Sequence, residues 1–350
     1  MININIKFDL NDIVLIPKAQ SEINSRNECN PFTIFEGYDN MLPLMAAPMD
    51  TVVSNENYML FIKNGIIPCI PREQYNNKYY SAKFQSFGLC DIEKSLYGNM
   101  SERNNTILKH YPYILIDIAN GNMKKIIDVL KEIKTHHPTT IIMVGNIANP
   151  ETFVELAKAG ADYVRCSIGT GAGCTTAANV AINYPMGSLI SECRQKKIQH
   201  GLWNTKIVAD GGMRNYSDII KALALGADYI MIGNIFNKAI ESAGFNYIYG
   251  KKIGQKLAEF LWRYDFPIKK KYRGMSTKAV QRSWGKSKLI TAEGITKYQK
   301  VEYTIEQWTE NFKDYLKSAM SYSNAKTLND FIGYADYCQI TKSAYDRFNK

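Results

Sequence analysis

No run of eighteen apolar residues occurs anywhere in this 350-residue chain, so no segment reads as a membrane-spanning helix. The first residues, Met1-Ile2-Asn3-Ile4-Asn5-Ile6-Lys7, lack the apolar core and small-residue cleavage site of a secretory leader. Cysteine is sparse: seven residues, at 29, 69, 90, 166, 174, 193 and 338, with no C-x-x-C pair among them. An odd, scattered set argues against a disulfide framework and a structural zinc site. The expected compartment is the cytoplasm. No G-x-G-x-x-G opens a helix after the first strand, which removes the usual mark of a dinucleotide-binding open sheet. No internal repeat or low-complexity segment is evident.

What is present is material for a large core: 45% hydrophobic residues against 22% charged. The formal charge of +10 fits either nucleic acid or an anionic small molecule. The lysines read as spread along the chain. The densest cluster, Lys269-Lys270-Lys271 with Arg273, is short and reads as a solvated segment near a phosphate. The expectation is therefore a small anionic substrate, with no nucleic acid and no membrane partner.

The apolar runs recur with a period. Pro43 to Met49, Ile66 to Pro71, a weak segment at 85–90, Tyr113 to Ala119, Ile141 to Asn146, Tyr163 to Ile168, Lys206 to Gly212 and Tyr229 to Asn234 read as strands. Between the later ones lie helical spacings, such as Ile126, Ile127, Val129, Leu130 and Ile133 within 124–136. Near-continuous apolar strands alternating with helices mark a parallel sheet covered by helices. Seven or eight repeats predict a closed (β/α)8 TIM barrel as one domain over 1–350. The pattern breaks over 246–305, a polar and aromatic stretch that reads as an irregular active-site flap. Residues 306–333 return to helical spacing and are expected to close the barrel.

Active sites of such barrels sit at the carboxyl ends of the strands. Asp50, Asp117, Asn146, Asp210-Gly211-Gly212 and Gly233-Asn234 fall there, as does Ser167-Ile168-Gly169-Thr170-Gly171-Ala172-Gly173-Cys174-Thr175-Thr176. Glycines at alternate positions let the backbone approach a ligand closely. The loop reads either as a carrier for a nucleophilic thiol with two hydroxyls beside it, or as a small-residue turn with an incidental buried cysteine.

Together these pieces resemble the IMP dehydrogenase and GMP reductase family. The resemblance runs over almost the whole chain: Pro48-Met49-Asp50-Thr51-Val52, the cysteine loop, Ala209 to Gly212, Tyr272 to Thr277, Glu293-Gly294 and Leu316 to Tyr322. It implies a tetrameric barrel in which Cys174 attacks C2 of a purine nucleotide and hydride is exchanged with a nicotinamide cofactor. No room exists between 85 and 113 for the CBS modules usual in the dehydrogenases. No Arg-Tyr pair stands between Thr277 and Glu293, and Arg282-Ser283-Trp284 is the nearest approach. Asp117 to Gly121, Gly274-Met275-Ser276 and Ser25-Arg26 look like the reductase versions.

The resemblance therefore implies reduction of GMP to IMP and ammonia with NADPH. Cys174 would be the nucleophile, with Thr176 and Glu293 moving protons. Asp210, Gly211, Gly212, Gly233, Asn234, Gly274, Met275, Ser276 and Gly294 would hold the nucleotide. Ser25, Arg26, Arg72, Asp117, Ile118, Ala119, Ile168, Gly169 and Ser318 would hold the cofactor. The carbonyls of Gly169 and Gly171 would hold a monovalent cation such as potassium. Ala172, Ile290, Ala292 and Arg214 depart from the reductase pattern. Two other readings stay open: an IMP dehydrogenase without CBS modules, and a catalytically weak nucleotide-binding barrel.

Overall fold

The computed structural model describes residues 6–72, 74, 83–98, 107–283, 291 and 293–348. Eight parallel strands close into a barrel: β1 (Leu44–Ala46), β2 (Ile67–Ile70), β3 (Phe84–Phe87), β4 (Tyr113–Asp117), β5 (Ile141–Ile147), β6 (Tyr163–Cys166), β7 (Lys206–Asp210) and β8 (Tyr229–Ile232). Each pairs with its sequence neighbour, and β8 pairs with β1 through Ile230↔Leu44. The barrel is thus closed by strand pairing. The helix Ile305–Tyr322, which was expected to close it, packs outside and buries Trp308, Phe312 and Leu316. Among the described residues no helix is long and apolar enough to cross a membrane.

The two-residue period of a strand sorts its side chains. Ile114, Ile116, Val144, Ile207, Ala209, Ile230 and Ile232 belong to the cluster shared with the helices. Leu115, Met143, Val208 and Met231 form a separate cluster inside the barrel. A hairpin, Thr33–Phe35 with Tyr38–Met41, closes the amino-terminal end, where the Phe35 ring lies 5.9 Å from Phe84 and 5.8 Å from Tyr113. The same parity that points Leu115 and Val208 inward points Asp117 and Asp210 into the opposite, open end.

Residues 246–300 differ from the irregular flap expected. They form a four-stranded antiparallel sheet of β9 (Asn246–Ile248), β10 (Lys251–Ile253), β11 (Lys269–Arg273) and β12 (Thr296–Lys300), ordered β10-β9-β11-β12. A helix, Gln255–Arg263, joins β10 to β11, and Ile240, Ala258, Ile268 and Val301 form a small core of their own. Lys269 to Lys271 is therefore a strand and not a solvated run. Lys270 is 0% exposed, and its Nζ donates to the carbonyls of Ser242 at 2.5 Å and Gly244 at 3.2 Å. Burial pushes its ammonium from 10.5 down to about 7, with Glu241 and Glu259 opposing the shift.

Candidate active site

The cysteine loop leaves β6 through Ser167, whose φ is +151°, and Gly169, at +80°. Gly169 passes so close to the next helix that a Cβ on it would lie 2.9 Å from the Ala177 nitrogen. Cys174 is partly exposed and reduced, and its Sγ lies 3.1 Å from the Thr176 hydroxyl. That hydroxyl in turn donates to a carboxylate oxygen of Glu293 in a short hydrogen bond. Thiol, hydroxyl and carboxylate thus form one continuous line along which a proton can pass.

Glu293 comes from the lead-in to β12, and the backbone fixes it there. Thr175 N–H donates to the Glu293 carbonyl at 2.8 Å, and Ile295 N–H donates to the Gly173 carbonyl at 3.0 Å. Cys174 and Gly294 therefore face each other as an antiparallel bridge. Gly274, just after β11, donates to the Ile295 carbonyl at 3.0 Å. Three chain segments pass so closely that a Cβ on Gly274 would lie only 2.4 Å from the Gly173 carbonyl oxygen. Ser276 Oγ stands 3.0 Å from where a Cβ of Gly294 would be. The added sheet is fastened to the barrel mouth a second time where the Arg273 guanidinium spans both oxygens of Asp50. The Asp50 hydrogen bond holds Arg273 above its ordinary pKa. Tyr272 lies between, with its hydroxyl 3.7 Å from Met49 Sδ. Burial pushes this phenol up, and the Asp210 and Cys174 charges add to the effect.

Across the mouth, Arg165 of β6 is 6% exposed and joins two carboxylates. Its Nη1 lies 2.7 Å from Asp117 at the end of β4, and its Nη2 lies 2.8 Å from Asp210 at the end of β7. Burial works against this charge, but the attraction of Asp210 and Asp117 outweighs it, so Arg165 stays firmly cationic. Asn146 donates to Asp210 at 2.7 Å, and Arg72 Nε lies 3.4 Å from Asp117. Reading the sequence missed Arg165, because it sits inside the run Tyr163-Val164-Arg165-Cys166. The available signal was a full charge in the middle of a buried strand.

The other residues singled out from sequence fall into two groups. Gly211 and Gly212, at φ +83° and +81°, turn the chain after Asp210 beside Thr170. Gly233 ends β8, and Asn234 begins a short helix with a buried amide oxygen that has no partner among the described residues. Met275 follows Gly274 at the rim, Ile168 is buried at the root of the loop, and Ile118 pairs by backbone with Gly145 and Asn146, with Ala119 exposed beyond it. Gly171 offers its carbonyl to Cys174 N–H at 2.8 Å. Ser25, Arg26 and Ser318 form a separate group: Arg26 lies 3.3 Å from the Ser318 hydroxyl and 3.4 Å from Asp314. Among the described residues the side-chain hydrogen bonds of that group stay within it and its neighbours Asn27 and Asp314. Trp284, Ile290 and Ala292 lie outside the described residues.

Comparison with known proteins settles the lineage. A family model described as IMP dehydrogenase / GMP reductase domain matches residues 95–347. The chain belongs to the IMP dehydrogenase/GMP reductase family. Among curated members, the GMP reductase of Buchnera aphidicola subsp. Schizaphis graminum is 30% identical, over 99% of this chain and 97% of its own length. The GMP reductase of Caenorhabditis elegans is 27% identical over 98% and 94%, and GMP reductase 1 of Mus musculus is 27% identical over 97% of each chain. Family membership and the closed barrel agree with the resemblance read from the sequence.

Proposed function

We propose that this chain is an NADPH-dependent GMP reductase, converting GMP to IMP and ammonia through a covalent bond between Cys174 and purine C2. The observation that carries this reading is the line Cys174–Thr176–Glu293, assembled from two segments far apart in sequence. Cys174 Sγ attacks C2 as its proton passes through the Thr176 hydroxyl to the Glu293 carboxylate. The proton then returns to the C2 amino group, which leaves as neutral ammonia far more readily than as an amide anion. A thioimidate remains, ready for reduction. Asp210 accepts from the ribose hydroxyls, a carboxylate being a good double acceptor. The phosphate is placed by the backbone of Gly233 and of Gly274-Met275-Ser276. The orphaned amide of Asn234 turns its NH2 toward it, since the two ends of that side chain are interchangeable in shape.

The residues present suit an anionic nicotinamide dinucleotide. Arg26 is half exposed and holds Asp314 only at 3.4 Å, a weak surface pair that a phosphate readily displaces. Ser25 and Ser318 add hydroxyls beside it, and Arg72 with Asp117 offers a cation and an acceptor at the mouth. NADPH, when bound, would supply the hydride for C2, and the Cys174 thiolate would leave as the C2–S bond breaks, giving IMP and the free thiol side chain. Because Ser25-Arg26 stands apart from the mouth, we assign it to the cofactor of a neighbouring subunit in a homotetramer. A monovalent cation at Gly169 and Gly171 would rest on backbone oxygens, one of which already serves the Cys174 N–H.

Nicotinamide absorbance tests the proposal. Oxidation of NADPH with GMP, lost in Cys174→Ala, is expected. Reduction of NAD with IMP and none of NADPH with GMP would replace this reading by the dehydrogenase one, and silence in both mixtures would overturn both.

A further inference from the structure

The charge of this chain is concentrated in one place. Residues 246–300 hold fourteen of its 43 lysines and arginines but only three of its 33 acids. That segment alone carries +11, against +10 for the whole chain, so the remaining 295 residues are close to neutral. The expectation that the lysines are spread along the chain, with one short cluster, therefore gives way to a basic segment of 55 residues.

The register of the added sheet puts much of this charge on one face. Lys252↔Tyr247, Tyr247↔Lys269 and Lys269↔Lys300 are opposite pairs, so these four side chains form a row across all four strands. Lys271↔Tyr298 forms the next row, and Phe245 adjoins it, Lys271 N–H donating to its carbonyl. Two ring contacts confirm the common face: Lys252 Nζ lies 3.3 Å from the Phe245 centroid, and the Tyr247 and Tyr298 rings lie 4.9 Å apart across β11. Phe245 is 54% and Tyr298 53% exposed. The face thus alternates ammonium groups with aromatic rings. The same face of a second copy would bring like charges together, so a symmetric contact of this face with itself does not cover it.

We propose that this face of the added sheet binds single-stranded nucleic acid, with lysines on the phosphates and Phe245, Tyr247 and Tyr298 stacking on bases. Alternating rings and cations on a stiff sheet are what a flexible strand with exposed bases requires. A duplex hides its bases from such rings. An anionic membrane would use the lysines but has no need of rings in register with them.

The test is fluorescence anisotropy of a labelled oligo-dU against the full-length protein across a salt series. Four phosphate contacts predict a log–log salt slope of about −2.8. Lys252→Gln with Lys300→Gln is expected to shallow that slope by about 1.4. Tyr298→Ala is expected to weaken binding roughly ten-fold with the slope unchanged. Circular dichroism of each variant checks that it remains folded, and a second ring variant, Phe245→Leu, repeats the measurement where Tyr298→Ala fails to fold. No binding at low salt would overturn the proposal. So would equal affinity for a duplex with no effect of the ring variants, or binding to phosphatidylserine vesicles with none to oligo-dU.

Discussion

Arg165→Met should separate the structural from the chemical demands on the barrel mouth. The side chain is 6% exposed and its guanidinium is shared between Asp117 and Asp210 at 2.7 and 2.8 Å. Methionine fills most of the volume but leaves Asp210 without its cation and Asp117 with only Arg72, at 3.4 Å. Removing one partner from a buried ionic group costs about 3–5 kcal/mol. At roughly 2 cal/mol/K of unfolding entropy per residue, a chain of this length loses about 4–7 °C in Tm. Adding Asp210→Asn should recover part of the loss, since the remaining carboxylate, Asp117, still has Arg72 Nε at 3.4 Å. Calorimetry of the three proteins at pH 7 makes the measurement. A single variant as stable as the parent, or a double variant that recovers nothing, would refute the claim that this cation is held in place by the two aspartates.

Glu293→Gln keeps the shape of the proton line but removes its base, and turnover should fall roughly 10²–10⁴-fold while alkylation of Cys174 persists; activity within ten-fold of the parent would count against the assignment. Gly274→Ala places a methyl 2.4 Å from the Gly173 carbonyl oxygen, so one of the two must move. A displacement of about 1 Å at the loop should lower turnover roughly 100-fold, and unchanged turnover would show that the three backbones can part at no cost to the chemistry. For Lys270, the unfolded amine takes its proton below 10.5 and the folded one only below about 7, so the unfolded chain binds more protons between them. Stability from this residue should therefore rise with pH across that window, by up to about 5 kcal/mol, and stay at its low value below it. The difference in unfolding free energy between parent and Lys270→Met should follow that curve, and a flat difference would refute it.

The barrel was legible because parallel strands covered on both faces are apolar along their whole length, and seven of the eight stand out as such runs. The third barrel strand, β3, was weak because Phe84–Phe87 includes Gln85 and Ser86, both buried. The same logic hid Arg165: a reader who averages over Tyr163-Val164-Arg165-Cys166 sees a strand and overlooks the charge within it. The added sheet was illegible for a different reason. Its strands are three to five residues long and rich in lysine, so burial alternates beneath a composition that looks wholly solvated. Lys270 is buried only because Ser242 and Gly244, nearly thirty residues earlier, supply its acceptors. Neither that pairing nor the Arg273–Asp50 contact leaves a local trace in the sequence.

The bond between Thr176 and Glu293 spans 117 residues. At 5–20 residues per second a ribosome needs roughly 6–23 s to bridge that gap. During that interval the nascent chain carries an ordinary cysteine with no base to receive its proton. A product truncated anywhere between the two positions could complete most of its barrel strands and still lack the carboxylate at the end of the line.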